Sequence, residues 1–384
     1  MALTYGSSHC FSARQYRFLP FVAVKLKSLV LLCCCYFCLS MFFFEKIHYM
    51  FDQVNYGVRL MLTRQPIDRV ISDPHYQHYH DKLQQLDRIK QFASLYGLHT
   101  DSYTHMVFPS GDPEVVSYLV VAAEKLRLQA IEEWFPFVGR VHYLGYFRES
   151  DRDRKAKELA EHYDVYLGRA SAFSLLGYLS DPLFPSMLKG STGDVADLLL
   201  HELVHGTIWV RDQLDFNEHL ATFISKKLTK LYLIKHGMTD EVTRMSVRAS
   251  DQKLYQDWLS RLKEALVSLY DDDQLSDQQK IQKKNNIISD FVAEKPKGKK
   301  YDYVGAKSGW NNARLILANT YSPNLQIFED TLKCSLSDDL SEQIKDFIIT
   351  LKTAQQSLEK LANTETKVGG KEILQEVCRR MEQE

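Results

Sequence analysis

Apolar and polar positions alternate at helical spacing through most of the chain. Side chains that favour burial recur every three or four residues with charges between them, which predicts long amphipathic helices. The segments with this pattern are 49–62, 75–96, 195–204, 218–233 and 239–270. Between 135 and 188 the pattern changes to short runs rich in valine and tyrosine, which favour β-strands, around one charged helix at 149–163. The pattern therefore predicts a predominantly helical α+β protein with a small sheet.

The N-terminal pattern is different. Residues 1–27 contain four basic side chains and no acidic one, and residues 28–44 are uncharged and strongly apolar. Seventeen such residues lie near the lower limit for crossing a bilayer, and no cleavage site of small residues follows. We therefore expect a retained transmembrane anchor or an uncleaved signal. Because the positive charges precede it, the rest of the chain should lie on the extracytoplasmic, periplasmic side.

Composition limits the partners. The chain has 384 residues, 25% of them charged, and a net charge of −1, which is typical of a globular protein and gives no reason to expect nucleic acid. Of seven cysteines, only Cys334 and Cys378 follow the apolar segment. They could form one disulfide in an oxidising compartment, but spacing alone does not establish it.

The helical stretch before residue 205 contains an HExxH motif, His201-Glu202-Leu203-Val204-His205. Residues four apart share a helix face, so His201 and His205 can bind one metal ion while Glu202 acts on a water molecule. Ser191 to Asp194 supply N-cap residues just upstream. The motif indicates zinc-assisted hydrolysis, and two packed core histidines are the alternative.

A catalytic zinc ion needs a third protein ligand. The metzincin pattern requires glycine at position 208 and histidine at 211, where the chain has Ile208 and Arg211. Glu218, at the start of the next predicted helix, is the preferred ligand for a single Zn²⁺. Its neighbour His219 is the alternative, although adjacent helical residues point about 100° apart.

The residues around the motif resemble a known family. HELVH at 201–205, followed by NEHLATF at 217–223, is similar to the paired motifs of a bacterial aminopeptidase family of gluzincin-type zinc metallopeptidases. GYF at 145–147, the segment 172–178 and NNARL at 311–315 resemble further segments of that family. The departures are His219, where the family often has serine, Tyr178, where it has tryptophan, and the lack of a lipobox cysteine.

The resemblance implies a zincin-like catalytic core in which a small sheet lies over the HExxH helix. Residues 172–178 would form the strand that pairs with an extended peptide substrate. It also implies aminopeptidase activity, with Glu202 as general base. Arg314 and Tyr321, in and after the NNARL segment, become candidates for stabilising the oxyanion.

These inferences divide the chain into five parts. They are a basic cytoplasmic tail (1–27), the anchor (28–44), a helical N-terminal part (45–133), the zincin-like catalytic core (134–235) and a helical C-terminal part (236–384). The function expected is that of a membrane-anchored zinc metallopeptidase.

Two other functions stay open at this point. One is a zinc amidase or esterase of the cell envelope, and the other is a membrane-anchored scaffold that binds zinc without catalysis. Glu202 argues against the scaffold, because a structural zinc site has no need of a base.

Overall fold

Two units make up the chain, Met1–Arg59 and Leu60–Glu384. The computed structural model describes residues 46–108, 116–135, 139–170, 182–300, 309–320, 325–361 and 369–383. The predicted anchor at 28–44 and the predicted substrate strand at 172–178 lie outside these residues. Within the described ranges, no helix has both the length and the hydropathy needed to span a bilayer.

Helices predominate, as the apolar pattern predicts. They are α1 (46–63), α2 (Ile67–Ser72), α3 (His80–Ser94), α4 (Glu149–Ala160), α5 (Thr192–His205), α6 (Leu214–Lys235), α7 (Thr239–Tyr270), α8 (Asp277–Ala293), α9 (Asn312–Thr320), α10 (Gln326–Leu332), α11 (Leu340–Leu361) and α12 (Gly370–Met381). The strands are β1 (Gln65–Pro66), β2 (His105–Met106), β3 (Ser117–Ala123), β4 (Glu133–Phe135), β5 (Gly139–Val141), β6 (Leu144–Tyr146) and β7 (Asp164–Ala170). The prediction of a predominantly helical α+β protein is confirmed.

The largest described sheet has three antiparallel strands in the order β6-β3-β7. Its central strand β3 is buried along nearly its whole length, which explains why its sequence is a continuous apolar run. Val121 and Ala123 of β3 pack against Ala313 of α9. The sheet packs mainly against α4 and α9, whereas α5, which carries the HExxH motif, packs mainly against α6 and α3.

The helix α5 begins at a capping box. Ser191 Oγ accepts a hydrogen bond from the Asp194 amide, and the Asp194 carboxylate accepts one from the Ser191 amide. This is the cap predicted from the sequence, and it fixes the first turn of the helix. Leu199 and Leu203 are buried on the inner face, so hydrophobic packing holds the histidine-bearing turns in place.

A disulfide crosslinks the C-terminal part. Cys334, just after α10, is bonded to Cys378 in α12. The possibility left open by the two cysteines is therefore realised. The bond joins the end of α10 to α12. Both of these helices also pack on α11.

Candidate metal centre

The three predicted ligands come together between α5 and α6. His201 and His205 place their Nε2 atoms 3.1 Å apart. The carboxylate oxygens of Glu218 lie 3.4 Å from His201 Nε2 and 3.6 Å from His205 Nε2. Ligands about 2.1 Å from a tetrahedral zinc ion are themselves about 3.4 Å apart. The spacing of this group is therefore compatible with one zinc ion.

Burial and charge make this group suited to a cation. The side chains of His205 and Glu218 are only 6% and 8% exposed. Burial acts to raise the pKa of Glu218, but hydrogen bonds from both imidazoles outweigh it and hold that pKa well below its usual range. For His201, burial acts to lower the pKa, but the bond to Glu218 and the charge of Glu202 outweigh it and raise that pKa. The site stabilises an ionised carboxylate at Glu218 and favours positive charge on the His201 ring.

Glu202 is half-buried beside the group. It follows His201 directly in α5, and its charge contributes to the raised pKa of that histidine. Within the described ranges, no hydrogen bond to the Glu202 side chain is found. The carboxylate is thus available to a water molecule or a substrate.

His219 does not belong to the group formed by His201, His205 and Glu218. Burial lowers the pKa of His219 and outweighs the raising effects of Asp215 and of the Asn319 and Thr320 backbone at the end of α9. Its Nε2 is buried without a hydrogen-bond partner among the described residues. Glu218, and not His219, completes the group of described residues that could hold a metal ion. The 100° between neighbouring helical positions separates the two roles.

A family model confirms the class of protein. The model, described as "Putative aminopeptidase", matches residues 48–367. The chain belongs to this aminopeptidase family. No curated protein and no solved structure gave a significant match. The matched range includes all three members of the candidate metal-binding group.

Arg314, one of the two candidates for oxyanion stabilisation, lies against aromatic rings. Its guanidinium carbon is 4.3 Å from the centroid of Trp310 and 5.5 Å from that of Tyr166. The other candidate, Tyr321, lies outside the described residues. Thr320, immediately before it, donates a hydrogen bond to Asp215 in the first turn of α6, at 2.9 Å. The catalytic roles of Arg314 and Tyr321 stay predictions.

The asparagines of the NNARL segment have a structural role. Asn311 Nδ2 donates to the carbonyl of Val165 in β7, at 2.8 Å. The backbone N–H of Asn312 donates to the carboxylate of Asp164 at 2.9 Å. The same carboxylate pairs with the buried ammonium of Lys284 at 2.7 Å. These bonds attach α9 to the sheet. The sequence could not distinguish this role from a catalytic one, because both use polar residues at the start of a helix.

A ring contact that the sequence did not indicate supports His205. The indole of Trp209 packs against His205, with 5.6 Å between the ring centroids. Gln355 in α11 donates to the backbone carbonyl of Trp209 at 2.8 Å. The C-terminal helix α11 therefore helps to fix the connection between the two ligand-bearing helices.

A second charged group, also not predicted, lies at the start of α6. His142, in the turn after β5, has its Nε2 3.3 Å from Glu132 and its Nδ1 3.8 Å from Asp215. Arg140 pairs with Glu132 at 3.3 Å. Asp215 lies three residues before Glu218 on the same helix face. Only the neighbouring GYF resemblance pointed to this region, since His142 has no partner at helical spacing.

Proposed function

We propose that this aminopeptidase-family protein is a membrane-anchored, zinc-dependent metallopeptidase of the gluzincin type that removes N-terminal residues from peptides. The observation that carries the proposal is the convergence of His201, His205 and Glu218 at one buried point, with Glu202 beside it. Membership of the family supplies the reaction class, which is hydrolysis of peptide bonds.

The roles follow from the chemistry of these side chains. Two imidazoles and one carboxylate would hold the ion and leave a coordination position open. When bound, zinc supplies a Lewis acid that lowers the pKa of a water ligand towards about 7 and polarises the scissile carbonyl. Glu202 would accept the proton of the attacking water and pass it to the leaving amine. The capping box and the buried face of α5 fix the backbone positions from which His201, Glu202 and His205 project.

The cellular placement is part of the proposal. Residues 28–44 would hold the protein in the membrane, with the catalytic part in the periplasm. The disulfide between Cys334 and Cys378 supports an oxidising compartment, because cytosolic disulfides are rare. An aminopeptidase is preferred to an endopeptidase on the family description.

Elemental analysis of the purified full chain tests the metal site. We expect about one zinc per wild-type chain, loss of zinc in Glu218→Ala, and retention in the neighbouring control His219→Ala. A folded wild-type protein without zinc would overturn the proposed site. Loss of zinc with His219 but not with Glu218 would overturn the ligand assignment.

Peptide hydrolysis by a Glu202→Gln variant tests the base. Glutamine keeps the size of the side chain but cannot take a proton, so zinc content should be unchanged while kcat falls by about 10²-fold or more. Peptides with a free α-amine should be cleaved and their N-acetylated counterparts should not. Equal cleavage of both would indicate an endopeptidase, and wild-type turnover in Glu202→Gln would remove Glu202 from the reaction.

A further inference from the structure

The helix α1, at 46–63, has an exposed apolar stripe. Its members are Ile47, Met50, Phe51, Val54, Val58 and Leu62, which are between 36% and 80% exposed. At 100° per residue they fall within about 120° of the helix circumference. Single exposed apolar residues are ordinary, but six on one continuous face mark an interaction surface.

The other faces of α1 do not share this property. Tyr49, Gln53 and Tyr56 are partly covered and Leu60 is buried, and burial raises the pKa of Tyr56. The flank beside the stripe carries polar side chains, Asn55 among them. The apolar stripe therefore lies apart from the less exposed positions of the helix. An ordinary surface helix would present polar residues to solvent at these positions.

The preceding sequence indicates what covers the stripe. The uncharged apolar segment 28–44 ends three residues before Ile47, the first member of the stripe. As a helix, seventeen residues would extend about 26 Å, which is about 4 Å less than the hydrocarbon core of a bilayer. The charged pair Glu45 and Lys46 lies between that segment and Ile47, so the stripe begins at the level of the head groups. Lipid is then the medium closest to the rest of the stripe.

The charges of this region agree with a lipid surface. Residues 46–64 contain three basic side chains, Lys46, Arg59 and Arg64, and one acidic side chain, Asp52. Long basic side chains beside an apolar stripe can extend to anionic head groups while their methylenes remain in contact with the apolar layer.

We propose that α1 is an interfacial helix whose stripe lies in the surface of the bilayer and adds a second lipid contact to the anchor. The proposal rests on the membrane anchoring in the proposed function, and it is independent of the zinc chemistry. The occupant is lipid, and a second copy of the chain is the competing outcome.

Site-specific photocrosslinking tests this proposal on the full chain. The variants Ile47→benzoylphenylalanine and Val54→benzoylphenylalanine place a photoreactive group at the centre of the stripe. The control Asn55→benzoylphenylalanine places it on an exposed position of the same helix, about 80° from Ile47 and about 100° from Val54. Each protein is inserted into vesicles of phosphatidylethanolamine and phosphatidylglycerol, irradiated and examined by mass spectrometry.

We expect phospholipid adducts at positions 47 and 54, several-fold more abundant than at position 55. Protein adducts to a second copy at the stripe positions would show that the stripe is a dimer interface and would overturn the lipid proposal. Equal lipid labelling at all three positions, or none, would also overturn the proposal. Extraction of the wild-type chain from the vesicles by alkali would refute the membrane anchor in the proposed function. A chain that stays inserted but shows no lipid label on the stripe would refute only the role of α1.

Discussion

At the scale of single residues, Asn312 shows how one buried side chain fixes a helix. It is fully buried, and its Nδ2 donates to the carbonyls of Glu124, Lys125 and Arg127 at 2.8 to 3.2 Å. Its Oδ1 accepts a hydrogen bond from the hydroxyl of Tyr270 at 2.7 Å. Removal of this amide would leave several buried groups without partners, which is more unfavourable than the loss of an exposed hydrogen bond.

We therefore expect Asn312→Ala to lower the free energy of unfolding by about 2 to 4 kcal/mol. The matched control is Asn319→Ala, because Asn319 is exposed on the same helix and should change stability by no more than about 0.5 kcal/mol. Urea denaturation of the detergent-solubilised chain measures both. Equal midpoints for the two variants would contradict the role assigned to Asn312.

At the scale of elements, the β4–β5 hairpin is positioned by a close approach of two backbones. Gly139 has φ +88°, and a Cβ atom there would lie 2.6 Å from Asp212 Oδ1 and 2.9 Å from the Asp212 amide nitrogen. The amide of Arg140 donates to the same carboxylate at 2.9 Å. Because Asp212 lies in the connection between α5 and α6, this contact joins the hairpin to the two helices of the metal group.

Gly139→Ala should separate the hairpin from that connection. Gly237 has φ +68° and no atom within 4 Å of an added Cβ, so Gly237→Ala introduces only the left-handed strain of about 1 to 2 kcal/mol. Gly139→Ala should be destabilising by about 1 to 3 kcal/mol more, since overpacking adds to the same strain. At Gly57 an added Cβ meets no atom within 4 Å and φ is not positive, so Gly57→Ala adds neither overpacking nor left-handed strain. Thermal unfolding and peptide turnover of the three variants, measured in parallel, test this order, and equal effects at 139 and 237 would refute the contact.

At the scale of the whole molecule, the C-terminal helices support the start of α6. Gly370 of α12 packs so closely on the ring of Phe216 that a side chain at this position would overlap the ring. The ring of Phe216 also contacts Phe328 of α10, with 5.7 Å between centroids. Phe216 precedes Glu218 by two residues. The crosslink from Cys334 to α12 therefore constrains helices that pack beside the metal group.

Reduction of this disulfide should lower the free energy of unfolding. The two cysteines are 44 residues apart, and closing a loop of that length stabilises a protein by up to about 4 kcal/mol. Denaturation with and without dithiothreitol measures the effect, and the doubly substituted Cys334→Ser, Cys378→Ser chain should not respond to the reductant. A wild-type chain that responds no more than this control would show that the bond contributes nothing.

The sequence by itself determined the local features of this protein. Helical periodicity predicted the long helices, and the Ser191 to Asp194 cap predicted where α5 begins, because both depend on neighbouring residues. The HExxH spacing placed His201 and His205 on one face for the same reason. The candidate Glu218 needed only the position of the following helix. Each of these inferences concerns residues that are close along the chain.

Only the tertiary structure decided which side chains meet across distant segments. The packing of α6 on α5 directs Glu218 towards the imidazoles and His219 towards α9, a choice that no periodic pattern contains. The contact of His142 with Asp215 joins residues 73 positions apart. The structural role of Asn312 depends on carbonyls more than 180 residues away. Such contacts are set by how preformed elements pack, and packing leaves no signal in the spacing of one segment.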